Sequence, residues 1–150
     1  MIQRAHLARR VSGVAALATA LVMLVAAVGS TAAATRTTIT IDGNSTGETF
    51  TTTGGALCPS GVATTDFHHF GGGNVAGSFH LTKTLVCADD SGSFTIKVSA
   101  ATVFGSPTDQ GGWSVVGGDG AYAHLRGGGS LVGTYYPGGI IDVYTGNVTK

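Results

Sequence analysis

The amino-acid sequence predicts an all-β protein: a single antiparallel β-barrel of about eight strands after an N-terminal signal helix. Three observations carry that expectation. From Thr35 onward glycine supplies 23 of 116 residues and threonine 19, a composition unfavourable to helices because glycine is too free and threonine is β-branched. In the same region apolar residues alternate with Thr, Ser or Lys, the period of a half-buried strand. Glycine-rich turn signals interrupt the alternation at the intervals of sandwiches and barrels. A single sheet of this size must close on itself or fold over to hide its second apolar face, and closure also removes exposed strand edges.

The first run, Thr37 to Asp42, turns Ile39 and Ile41 to one side and Thr38 and Thr40 to the other. The second, Glu48 to Thr53, is polar apart from Phe50 and reads as a weak or edge strand. Beyond Gly54-Gly55 and Cys58-Pro59-Ser60-Gly61, a third run goes from Val62 to about Phe70 and stops at Gly71-Gly72-Gly73-Asn74. Ser78 to Ala88 puts Phe79, Leu81, Leu85 and Cys87 on one face, and Ser93 to Phe104 does the same with Phe94, Ile96, Val98 and Ala100. Asp89-Asp90-Ser91-Gly92 joins these two as a hairpin, since its residues favour turns. Gly105 to Gly111, containing Pro107 and Asp109, reads as a loop leading into Trp113 to Val116. Gly117 to Gly120 then reverses the chain into Ala121 to Arg126, and Gly127-Gly128-Gly129 breaks it again. Ser130 to Tyr136 and Ile140 to Thr149 follow, joined by Pro137-Gly138-Gly139.

Residues 1–34 differ in kind. They carry Arg4, Arg9 and Arg10, an uncharged stretch from Val11 to Val28, and Ala32-Ala33-Ala34, with no aromatic residue. A positive flank, an apolar run and a small-residue exit make a secretory signal peptide cleaved near Ala34. The competing reading is a membrane anchor, because 18 uncharged residues lie at the lower limit of about 17 to 25 that span a bilayer. Arg9-Arg10 raises twin-arginine export, whereas the strongly apolar core suits the general secretory route. The expected mature chain, 35–150, is secreted to the medium or cell surface and has no stable membrane insertion.

Eight basic and eight acidic residues cancel in the whole chain, and three of the basic ones lie in the leader. A mildly acidic mature chain offers no field to attract nucleic acid. Cys58 and Cys87 are the two cysteines, and in an oxidising compartment they are expected to form one disulfide. No C-x-x-C or short-spaced thiol and imidazole set suggests a metal site. His68 and His69, adjacent on a strand, are expected to face opposite ways, and His80 to lie on a polar face. No metal and no cofactor is expected.

The most specific stretch is Gly117-Gly118-Asp119-Gly120-Ala121-Tyr122-Ala123-His124-Leu125-Arg126-Gly127. It reads as a tight reversal needing positive φ, with an aromatic cap for the barrel end. No helix signal or Gly-Lys-Ser/Thr follows, so it is not a phosphate loop. The stretch resembles the G-G-T-G-x-F-x-x-A-R-G signature of dirigent proteins and the related allene oxide cyclase-like barrels. Tyr122 stands at the aromatic position and Arg126-Gly127 is in register, while Asp119 and Leu125 depart from the pattern. Cys58, Lys83 to Cys87, Gly92-Ser93-Phe94 and Trp113 are similar to small exported bacterial proteins of unknown role. The resemblance covers about residues 48–149. It implies an eight-stranded barrel, often trimeric in plant members, whose apolar cavity orients a reactive ligand without a cofactor. Its cavity acids have no clear counterparts on this chain, and a shared fold does not establish a shared reaction.

No serine stands in a G-x-S-x-G elbow, and most acids, including Asp89, Asp90, Asp109 and Asp119, are assigned to turns where they bond the backbone. Asp142 is the exception, because it falls within the last strand and is weighed as a cavity residue pairing with Arg126. Tyr122, Arg126 and Asp142 are therefore the candidate ligand-binding residues. Tyr135 and Tyr136 are expected to point oppositely. The expected role is non-catalytic binding of a small apolar ligand or an extracellular partner. The alternatives are a cofactor-independent isomerase or cyclase of the allene oxide cyclase type and a self-associating surface protein. A homo-oligomer is compatible with each.

Overall fold

The computed structural model of the protein describes residues 32–150. The expected signal helix falls on residues 1–34 and, apart from Ala32 to Ala34, lies outside the described residues. The described residues form one closed barrel of eight antiparallel strands in chain order. These are β1 (Thr35–Asn44), β2 (Gly47–Thr53), β3 (Ser60–Gly72), β4 (Ala76–Cys87), β5 (Ser93–Val103), β6 (Thr108–Gly118), β7 (Arg126–Tyr136) and β8 (Gly139–Thr149). Pairing of β1 with β8, from Thr35 opposite Val148 to Asn44 opposite Gly139, closes the sheet.

Alternation sets the inward face. Ile39 and Ile41 on β1, Phe50 on β2, Leu81 and Leu85 on β4, and Phe94, Ile96 and Val98 on β5 all point into the core. Three expectations are corrected at the glycines. β6 begins at Thr108, so Thr108 to Gly111 are strand and not loop. Gly127 to Gly129 lie inside β7 and do not end a strand. The run Ala121 to Arg126 is not a strand before β7; it starts with a 3-10 turn at Gly120–Tyr122. The physical reason is close backbone approach: a Cβ at Gly111 would overlap the Ser99 carbonyl and one at Gly129 the Thr145 carbonyl, so glycine here lets strands pack and need not break them. β2 pairs with both β1 and β3, so it is not an edge.

One end of the barrel is filled. Gly120, at φ +54, turns the chain so that Tyr122 covers this end, 5.4 Å from the Phe94 ring, with its hydroxyl 3.2 Å from Ser91 Oγ. Leu125 and Val148 are buried in the same core. The connection from β2 to β3 adds Leu57 and Cys58, and the expected disulfide joins Cys58 to Cys87 at the end of β4, with 5.9 Å between Cα atoms. Trp113 packs edge-on against Tyr144, with ring centroids 6.3 Å apart.

Candidate functional site

The other end is hollow. A cavity of about 530 Å³ occupies it, walled near the mouth by Phe67, Phe70, Phe79, Val103, Phe104 and Ile140 and deeper in by Leu81, Val98 and Leu131. Strict alternation would send Phe67 and Phe70 to opposite faces. A bulge in β3 between Phe67 and His69 absorbs one residue, setting Phe67 opposite Leu81 and Phe70 opposite Phe79, so both rings line the cavity. The same bulge corrects the histidine expectation. His69 stacks on His80, and His68 Nε2 lies 3.0 Å from Thr82 Oγ1, on the outer side of the wall whose inward residues are Leu81 and Lys83.

Polar side chains converge on the cavity floor. Lys83, on β4 between inward-facing Leu81 and Leu85, is only 4% exposed. Its Nζ donates to Glu48 Oε1 at 2.9 Å and to Thr65 Oγ1 at 2.8 Å, and lies 3.6 Å from Asp142 Oδ2. Tyr144 donates its hydroxyl to Asp142 Oδ2 at 3.1 Å, and Tyr135 donates to Asp109 Oδ2 at 2.9 Å. Gly133 of β7 pairs with Asp109 on one side and Asp142 on the other. A Cβ there would overlap the Asp109 carboxylate and sit 2.9 Å from Asp142 Oδ1, so the missing side chain is what lets the two acids approach across β7.

Burial and charge set the protonation of this floor. Desolvation raises the pKa of Asp142 above the ordinary carboxylate value; Lys83 and the Tyr144 hydroxyl oppose the rise, and Asp109 and Glu48 add to it. Burial, reinforced by Asp142, raises Tyr144 far enough that its hydroxyl keeps its proton. Tyr135 is raised by burial and by Asp109. The native state therefore holds the Asp142 proton more tightly than the unfolded chain does. Between the ordinary carboxylate value and the raised one, stability contributed by this group falls as pH rises. Urea unfolding of the protein and of Asp142→Asn from pH 4 to 7 should show the difference turning against the unsubstituted protein as pH increases. A difference independent of pH would mean that Asp142 titrates normally.

The three candidate ligand residues separate. Asp142 faces the cavity and is 7% exposed, but its cation is Lys83 and not Arg126. Arg126 is exposed at the start of β7 opposite Thr149, seven residues along the strand from Gly133, the partner of Asp142. Tyr122 belongs to the core of the filled end, beneath the Lys150 ammonium at 4.3 Å. Tyr135 turns to Asp109, while Tyr136 donates to Asp42 Oδ1 on the outside at 2.6 Å. Asp89 and Asp119 do bond turn backbone, at Ser91 and Ser93. Asp109 does not; it is a buried strand residue.

Glu48, Lys83 and Asp109 are not among the sequence candidates. For two of them a signal is present: Glu48 is two residues from Phe50, and Lys83 two from both Leu81 and Leu85. Asp109 was hidden because Gly111-Gly112 resembles a loop. No family model matches the chain, and neither the curated proteins nor the solved structures compared with it give a match.

Proposed function

We propose that the protein is an exported barrel that binds one small amphipathic molecule, with the apolar body under the aromatic mouth and a polar group on the floor. The observation that carries this reading is the 530 Å³ cavity, apolar at its mouth and polar at its base. Pockets that hold drug-sized ligands have volumes of about 300 to 1,000 Å³. Exposed Phe67 and Phe70 at the mouth gain from being covered. The likeness of Gly117 to Gly127 to dirigent and allene oxide cyclase-like barrels supports the same use of the interior.

Native mass spectrometry of the protein recovered from its host should reveal an adduct that leaves on denaturation. Ile140→Trp, which fills the mouth, should abolish that adduct, whereas Arg126→Leu, outside the cavity, should leave it intact. A bare protein, or an adduct retained in Ile140→Trp and lost in Arg126→Leu, would move the binding function to the outer surface. The assembled mass in the same experiment tests the expectation of a homo-oligomer.

A second reading, a cofactor-independent isomerase or cyclase, is favoured by one observation. Asp142, with its raised pKa, faces the Asp109 carboxylate, an arrangement in which one group can give and the other take a proton. Under this reading the recovered adduct is turned over by the protein and released changed by Asp142 and Asp109; under the first it is returned unaltered.

A further inference from the structure

We infer that the molecule held in this cavity carries a protonated amine. The inference rests on the ligand-binding reading and names the chemical class of the ligand. Three carboxylates, Glu48, Asp109 and Asp142, line the cavity beside a single ammonium, Lys83. Lys83 directs its hydrogen bonds to Glu48 and Thr65 and reaches Asp142 only at 3.6 Å. Among the described residues Asp109 has no cation in contact, and this is the second, independent observation. It is 2% exposed and lines the cavity; Tyr135 occupies its Oδ2, and among the described residues no donor reaches its Oδ1. Buried acceptors are nearly always satisfied, so this oxygen marks negative charge that the protein does not complement.

Setting Asp142 aside as the acid that burial drives toward its neutral form, Asp109 and Glu48 are still two acidic side chains beside the one ammonium of Lys83. The walls are apolar, so the excess is poorly screened, favouring a bound cation and opposing a bound anion. The rings of Phe67, Phe70, Phe79 and Phe104 around the mouth add attraction of the same sign, since aromatic faces draw cations, and they cover an apolar body. An anionic amphiphile would find one ammonium with two of its donors already engaged.

The test uses the intact protein and two ligand series, n-decyl and 2-naphthylmethyl, each as amine, alcohol and carboxylate, titrated calorimetrically at pH 7. In at least one series the amine should bind about tenfold or more tighter than the alcohol, and the carboxylate weakest, as expected for one charge-assisted contact. The amine's advantage over the alcohol should fall to about twofold or less in Glu48→Gln/Asp109→Asn. Equal binding of amine and alcohol, or tighter binding of the carboxylate, would overturn the amine inference while leaving the cavity reading intact. Binding of none of the six would overturn both. The comparison within the unsubstituted protein decides the question even if the double variant does not fold.

Discussion

Replacing Lys83 with Met is expected to destabilise the barrel by about 3–5 kcal/mol, because removing one partner of a buried ionic cluster leaves the others uncompensated. Lys83 is the only cation in contact with Glu48 and Asp142 among the described residues, and its side chain is 5% exposed. Methionine fills most of its volume, so little of the loss is attributable to packing. Urea unfolding at pH 7 measures the effect. Adding Glu48→Gln and Asp142→Asn to Lys83→Met should restore stability to within about 2 kcal/mol of the original, since apolar or neutral replacement of a whole buried cluster is often close to neutral. A loss below about 1 kcal/mol for Lys83→Met alone would mean that solvent already neutralises the floor, contradicting the low dielectric on which the site's chemistry depends.

Removing the disulfide, as Cys58→Ala/Cys87→Ala, is expected to cost about 3.6 kcal/mol on the chain-entropy estimate, because the bond closes a loop spanning 29 positions. For a domain of this size that corresponds to a fall of roughly 15 °C in Tm. The native contacts around it strengthen the expectation. The β2 to β3 connection is held by Leu57 and Cys58 in the core, by Thr52 Oγ1 donating to the Cys58 carbonyl at 2.7 Å, and by the Thr52 amide donating to Pro59. β2 and β3 share only the short register from Glu48 opposite Ala63 to Thr51 opposite Ser60. Hydrogen exchange should therefore accelerate first in β2 and at the start of β3. Exchange increasing equally in all strands, with a Tm change of only a few degrees, would show that the seam holds without the bond.

Much of the barrel was legible because strand alternation is a local property. Ile39 and Ile41, Phe94 to Val98, and the turn at Asp89 to Gly92 declare themselves over a few residues, and cysteine count with expected export paired Cys58 to Cys87. Legibility failed where glycine had two meanings. Gly120 turns the chain at positive φ, whereas Gly111 and Gly129 sit in strands at points where backbones crowd, and composition does not separate the two uses. It failed again at the β3 bulge, where one extra residue redirects Phe70 into the cavity and leaves His68 and His69 on the same side.

The polar floor shows the boundary most clearly. Local pattern is enough for an all-β chain, most of its strands, the β4–β5 hairpin and the disulfide, since each depends on neighbouring residues or on a single pair. Which end of the barrel is open, and that Glu48, Lys83, Asp109 and Asp142 meet there, follows from the packed barrel and not from any local run of residues. Their strands come from both ends of the chain and are brought together by closure of β1 on β8 and by the register of β6, β7 and β8 around Gly133. Register between distant strands is set by the packing of the whole interior, so the partner of Asp142 is Lys83, 59 positions away, and not the nearer Arg126.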